Sequence, residues 1–435
     1  MITRTLSLIV LLFVLAALPA QAQTGEDILR YSQRFPAVDT RMTGMAGAAV
    51  GGIGDWGAAF ANPAGLGLVE RSHVVGAVSA GSIQSDARYF GEETEATTTQ
   101  TALGSAAYVA ALPTLRGSLV LGVGYNQTAG FDRELSFTGF NPQAAFDPNP
   151  EVDGDEIIGL QQFGDVFEDG VSGELSLVGA VEVAPRVLTG LSLNLIAGDY
   201  QFQQVLDEQA VDGTLGPFTE TFLEADLRGV NLRGGLAAEV APGVRLGLVV
   251  ETPTFYRVEE RSDLFTTGQF DYSITTPWRV SGGLVYELAG VILAADLEFL
   301  DWSQARLRPT DDFRPPFTET DRNLEIRRTY REVLNTRFGA EYSIGPWAVR
   351  AGAAFQPDPL REELELRGVE ADRLRSTYTV GFSLKTIDRV SFDVAYAFTE
   401  FEDVLVPYPS EERPQPLVTE DVARNRFLVG VRVDL

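Results

Sequence analysis

From about residue 72 to the C-terminus, apolar side chains recur at every second position. Val390, Phe392, Val394, Tyr396 and Phe398 alternate with Ser391, Asp393, Ala395, Ala397 and Thr399. The chain ends in the same rhythm, on Phe427, Val429, Val431, Val433 and Leu435. Period two is the spacing of a strand whose faces meet different surroundings. It places strands near 72–88, 99–112, 117–131, 172–184, 188–203, 222–240, 243–256, 270–287, 290–304, 330–344, 346–357, 374–385, 388–402 and 424–435. Short links such as Pro185-Arg186-Val187, Pro242-Gly243 and Gly345-Pro346 alternate with long, charged stretches at 132–171, 305–329 and 403–423. Fourteen strands, tight turns at one end and long loops at the other predict an all-β fold: a fourteen-stranded antiparallel transmembrane β-barrel of the outer membrane.

The hairpins allow a check on which face is which. A turn at Gly345-Pro346 sets Glu341 opposite Arg350. One at Leu288-Ala289 sets Arg279 opposite Glu298 and Ser281 opposite Asp296, and one centred on Pro242 sets Glu239 opposite Arg245 and Arg233 opposite Glu251. Opposite charges directly across an antiparallel pair are favourable. The polar face therefore reads as a charged lumen and the apolar face as lipid-facing. Trp278, Tyr286, Trp302, Tyr342, Trp347 and Phe401 sit near strand ends, as interfacial girdles require.

Composition narrows the function. A formal charge of −27 excludes nucleic acid as a partner, and the absence of Cys excludes disulfides and thiolate metal sites. A single histidine, His73, leaves little room for histidine catalysis, and no enzyme activity is expected. No cofactor and no metal is expected either. The acidic stretch 151–156 lacks the spacing of an EF-hand and reads as a solvated loop.

Residues 1–22 read as a signal peptide: Arg4, a largely apolar run from Leu6 to Leu18, then Ala20-Gln21-Ala22. Residues 23–71 lack strand periodicity and read as a plug, with the barrel proper at 72–435. A fourteen-stranded lumen is too wide for its own wall side chains to fill. The plug is rich in small residues, as in Gly44-Met45-Ala46-Gly47-Ala48-Ala49, which let backbone approach a wall closely. Gly52-Ile53-Gly54-Asp55-Trp56-Gly57 satisfies a dinucleotide-binding string but lacks the strand and helix that motif needs.

The start Asp27-Ile28-Leu29-Arg30-Tyr31-Ser32-Gln33, the Gly-rich run and Asn62-Pro63-Ala64-Gly65-Leu66 resemble the hatch of the FadL-type long-chain fatty-acid and hydrocarbon transporters. Leu297-Glu298-Phe299-Leu300-Asp301-Trp302-Ser303 and Thr336-Arg337-Phe338-Gly339-Ala340-Glu341-Tyr342 extend the similarity along the barrel. The resemblance implies passive uptake of hydrophobic compounds such as long-chain fatty acids. Outer loops would catch them, a lumen pocket would hold them, and the hatch with an opening in the wall would release them. Asn62, Pro63, Ala64 and Gly65 are the implied gating motif.

For capture, the third outer loop offers Phe202, Phe218 and Phe222, and the fourth offers Phe255, Tyr256, Phe265 and Phe270. Apolar side chains on loops that face water suggest a ligand groove, and Phe255→Asp is expected to slow uptake. Arg337, with no partner across a hairpin, is the candidate for holding an anion. The expected partners are hydrophobic small molecules or fatty acids, outer-membrane lipids, and the barrel-insertion machinery through the C-terminal strand. The expected unit is a monomer. The alternative is a barrel of the same type serving as a protein-binding scaffold or shuttle in a type IX secretion system.

Overall fold

The structure, a computed structural model, describes residues 25–148, 156–263, 268–309, 319–361, 373–386, 389–407 and 416–435. The signal peptide, residues 151–155 of the acidic stretch, and Phe265 lie outside the described residues.

Among the described residues, nineteen strand segments form one antiparallel sheet, and five barrel spans are each interrupted once, which gives fourteen strands. They are β1 (His73–Tyr89), β2 (Glu92–Leu112), β3 (Leu119–Gly130, then Arg133–Phe146), β4 (Ile157–Asp169, then Val171–Ala184) and β5 (Val187–Ala210). Next come β6 (Leu215–Ala241), β7 (Val244–Glu251, then Phe255–Ser262), β8 (Gly268–Thr275, then Arg279–Leu288) and β9 (Val291–Asp301, then Arg306–Pro309). The wall continues through β10 (Glu332–Ile344), β11 (Trp347–Gln356), β12 (Arg375–Lys385), β13 (Val390–Leu405) and β14 (Val418–Asp434). Pairing of β1 with β14, from His73↔Asp434 to Arg88↔Thr419, closes the cylinder.

Large apolar side chains stand half exposed on the outer face: Val78 at 52 %, Leu248 at 50 % and Val429 at 57 %. A water-soluble protein does not carry such a continuous band, whereas lipid is its natural solvent. The protein is an outer-membrane, multi-pass β-barrel. Trp278, Tyr286, Tyr342 and Trp347 lie on that outer surface. Trp302 and Phe401 do not belong with them. The Asp301 carboxylate accepts from Ser303 N and opens a 3-10 turn that swings Trp302 inward. Phe401 pairs with the inward-facing Val422 and shares its face.

The hairpin registers hold at two of three turns. Glu341 faces Arg350, Glu239 faces Arg245 and Arg233 faces Glu251. At the third, the turn is Ala289-Gly290, with both residues at positive φ, so Ser281 faces Glu298 and Gly283 faces Asp296. Arg279 instead faces Glu251 on β7, while its guanidinium still reaches Glu298 at 3.5 Å. The expected loop 132–171 is mostly strand, Arg133–Phe146 pairing with Ile157–Asp169. The expected loop 305–329 carries Arg306–Pro309 and a helix, Glu319–Thr329. Above the membrane both faces of a strand meet polar surroundings, as with outward-facing Asp165, Gln201 and Gln203, so the alternation that marks strands disappears.

The N-terminal segment folds inside the cylinder as α1 (Gly25–Ser32), α2 (Thr40–Gly44), α3 (Ala58–Ala61) and a 3-10 turn, Pro63–Leu68. Met42, Met45, Ala48, Trp56 and Leu66 are at most 2 % exposed. Wall glycines seat it: a Cβ on Gly247 would lie against Val50 O, and one on Gly352 would meet Met45 C at 2.5 Å. Backbone lies directly on backbone at these points, which only glycine permits.

One seam of the wall is incomplete. β2 pairs with β3 over Ser105–Leu112, but residues 92–104 of β2 ladder only with β1. A bulge at Gln127/Ala129 and the break at Phe131-Asp132 take the upper half of β3 out of the backbone ladder with β2, although Thr94 Oγ1 still donates to Ser136 O across the gap. That half leans over the tip of β1, where Phe137 meets Tyr89 edge-on at 5.0 Å.

Candidate solute pathway

Between the N-terminal segment and the outer hairpins lies a cavity of about 490 Å³. Its apolar lining includes Phe35, Phe60, Phe131, Phe202, Trp302 and Phe401. A second, small cavity sits at the incomplete seam, lined by Thr98 and Gln100 of β2 and Gly130 of β3. Phe35, Ile83, Gly130 and Arg424 line both, so they form the partition between lumen and seam. Gln100 fills the seam itself, close enough that a Cβ on Gly130 would meet its Oε1 at 2.5 Å.

The segment below the cavity is tied to the wall all round. Asp296 Oδ2 accepts from Ala49 N at 2.6 Å and Val50 N at 2.9 Å. Trp56 Nε1 donates to Asn126 at 2.8 Å, Thr379 Oγ1 to Gly44 O at 3.1 Å, and Arg426 Nη1 to Ala37 O at 3.0 Å. Arg41 grips Glu341 through two bonds of 2.9 and 2.8 Å. Higher up, Arg34 reaches into a buried network of Arg233, Arg279 and Arg337 with Glu174, Glu251 and Glu298. Glu251 is its hub, 2.7 Å from Arg233, 3.0 Å from Arg34 and 3.7 Å from Arg279.

Asp39 and Asp55 belong to the segment and titrate in opposite directions. Burial, aided by the Asp55 charge, pushes Asp39 up to about 7. Burial also opposes ionisation of Asp55, but Arg41, Arg432 and His73 outweigh it and hold that carboxyl below its ordinary value. The folded segment thus keeps the Asp39 proton up to about pH 7, while an undocked one releases it near the ordinary carboxylate value. Docking should be firmest in acid and weaken as pH rises from about 4 through about 7. The expected result is more frequent channel openings in planar bilayers at about pH 8 than at about pH 5. Asp39→Asn keeps the helix cap that Asp39 gives to Met42 N and should flatten that dependence.

The predicted site residues fall into three groups. Asn62 is fully buried: its Oδ1 accepts from Ala64 N, and its Nδ2 donates to Val50 O at 2.6 Å and Leu236 O at 3.1 Å. It ties the turn to both the segment and β6, with Pro63 against Gly190 and Gly65 against Ile53. Of the loop aromatics, Phe202 lines the cavity. Tyr256 and Phe270 join Tyr200, Tyr272 and Trp302 in a core around Ile28 and Tyr31 of α1. Phe222 is partly buried, while Phe218 and Phe255 face outward, 64 % and 57 % exposed. These aromatics do not converge on one groove. Arg337 is not free, since its Nη2 donates to Glu298 Oε1 at 2.9 Å. Arg337 faces Asp296 across the pairing of β9 with β10, one step from Glu298, and Arg279 reaches the same carboxylate from β8. His73 is buried at the foot of β1, with Nδ1 3.0 Å from Arg71 O and Nε2 4.0 Å from Asp55.

Phe35, Arg375, Arg424 and Gln100 line these cavities and were not singled out from sequence. Gly130-Phe131-Asp132, where the alternation stops in mid-strand, was the only local sign of the seam.

No protein-family model matches the chain, and no curated protein matches it. Solved structures do. A Pseudomonas aeruginosa FadL homologue superposes with a TM-score of 0.62 at 15 % identity, covering 92 % of this chain and 99 % of its own. The P. putida toluene transporter TodX gives 0.57 at 11 %, with 92 % and 99 % coverage. The Ralstonia pickettii toluene transporter TbuX gives 0.54 at 13 %, again covering 92 % and 99 %. At these identities the likeness is one of fold, and the fold is that of the FadL-type barrels.

Proposed function

We propose that the chain is an importer of the FadL type, taking hydrophobic or amphiphilic solutes such as long-chain fatty acids across the outer membrane. The observation that carries this reading is the cavity of about 490 Å³ held between the outer hairpins and the N-terminal segment. A solute entering it exchanges water for aromatic walls, at about 0.8 kcal/mol per buried methylene. A ten-carbon stretch would contribute roughly 8 kcal/mol before ordering costs, enough for capture and modest enough for release.

In this reading the N-terminal segment is a hatch that blocks the straight path to the periplasm. Its ties to the wall favour local movement over wholesale departure. The seam between β2 and the upper half of β3 is the exit, with Phe35 and Gln100 as the side chains that must move. A lateral exit delivers an apolar solute to lipid without crossing water.

The test is uptake of radiolabelled oleate by cells lacking their own importer. Phe202→Asp puts a charge in the cavity wall and should reduce uptake severalfold at unchanged protein level. Phe255→Asp, on the outward face, should leave it unchanged. Equal effects of the two, or none from Phe202→Asp, would remove the cavity from the pathway.

A further inference from the structure

The arginines of the cavity are not equivalent. Arg34, Arg133, Arg233, Arg279, Arg337 and Arg373 each have a carboxylate within 4 Å, such as Glu251 for Arg34 and Asp358 for Arg373. Three on the wall formed by β12 and β14 are different: among the described residues, Arg375, Arg424 and Arg426 form no ion pair. Arg375 stacks over Phe401 at 4.2 Å from the ring centre, and Arg426 over Phe35 at 4.0 Å. Arg424 stands 5.9 Å from the same Phe35 ring, and its Nε is buried with no hydrogen-bond partner. Arg426 is only 7 % exposed, and its Nη2 also lacks a partner.

The register brings two of them to one patch. Thr377 pairs with Thr399, and Thr399 with Arg424, while Arg375 lies two residues from Thr377 on the same face. All four line the cavity, and the two threonine hydroxyls are 2.8 Å apart. Asp403 lines the cavity with Arg375, and Asp132 lines the small cavity with Arg424, but neither carboxylate comes within ion-pair distance. A chain of net charge −27 thus leaves guanidiniums without a close counter-ion on one inner wall, flanked by hydroxyls and by aromatic rings. Partly buried cations without a close counter-ion carry a desolvation cost, and an arriving anion offsets part of it. Guanidinium and hydroxyl donors together match the oxygens of a carboxylate.

We propose that Arg375 and Arg424, with Thr377 and Thr399 between them, bind the carboxylate head of an amphiphilic solute whose tail lies along the aromatic cavity. The proposal rests on the reading that this cavity holds the solute. Arg424 also lines the small cavity at the seam, so the site holds the head beside the proposed exit.

Binding of dodecanoate and of dodecanol to the purified full-length barrel, in a detergent with an uncharged head, separates head from tail. The Arg375→Gln/Arg424→Gln double variant should lose about a hundredfold in dodecanoate affinity, at about tenfold per charged contact, and bind dodecanol as before. Arg375→Lys/Arg424→Lys should recover part of the loss. Equal losses for acid and alcohol, or none for the acid, would overturn the site. Should the double variant fail to show the heat-modifiable migration of a folded barrel, Arg424→Gln alone carries the same comparison. If the unaltered barrel bound neither compound, the importer reading itself would fail.

Discussion

Deleting residues 25–68 should convert a closed barrel into an open pore. Fourteen strands enclose a lumen that wall side chains cannot fill, and this segment occupies it, with Met42, Met45, Ala48, Trp56 and Leu66 at most 2 % exposed. Among the described residues it has no rival filler below the cavity: Ala49, Val50, Trp56 and Ala59 are the groups the inward-facing Asp296, Asn126 and Arg233 hold. In planar bilayers the full chain should show little steady current, and the deletion should raise it by about an order of magnitude or more. Heat-modifiable migration on a gel would establish that the shortened barrel still folds. A folded deletion variant with unchanged current would mean that the outer hairpins, and not this segment, seal the channel.

Glu251→Gln should be among the most damaging single substitutions in the barrel. Four guanidiniums, Arg34, Arg233, Arg279 and Arg337, share three carboxylates, Glu174, Glu251 and Glu298. Removing the hub charge leaves four cations on two anions in a region where Glu251 itself is 4 % exposed. Breaking such a buried pair costs about 3–5 kcal/mol, because the stranded partners stay desolvated. The midpoint of guanidinium unfolding in lipid vesicles reads that loss. Adding Arg279→Gln should return part of it, since the double change removes one stranded cation, so the two losses should not add. A loss below about 1 kcal/mol for Glu251→Gln would show that water reaches the network and screens it.

The membrane-embedded wall was legible in the sequence because lipid and lumen impose opposite demands on adjacent residues. Val390 to Phe398 reads as a strand for that reason alone. Cross-strand charges even fixed the register of the turns at Pro242 and Gly345-Pro346. The turn at Ala289-Gly290 escaped because two registers both bring Arg279 near Glu298, and only the positive φ of both turn residues separates them.

The upper hairpins were harder to read. Their strands leave the lipid, so Phe222, Phe255 and Phe270 look alike in the sequence while one is partly buried, one faces out and one packs on α1. The unpaired arginines were invisible for a related reason. A cation without a partner is defined by every strand that could have supplied one, and Arg375 and Arg424 are brought together only through β13.

The most direct test of the account is native mass spectrometry of the protein extracted in mild detergent from its own outer membrane. The account predicts a bound anionic amphiphile of a few hundred daltons, retained by the full chain and lost from the Arg375→Gln/Arg424→Gln variant. A barrel that arrives with an empty lumen and a stoichiometric protein partner would contradict it and make the chain a scaffold for secretion.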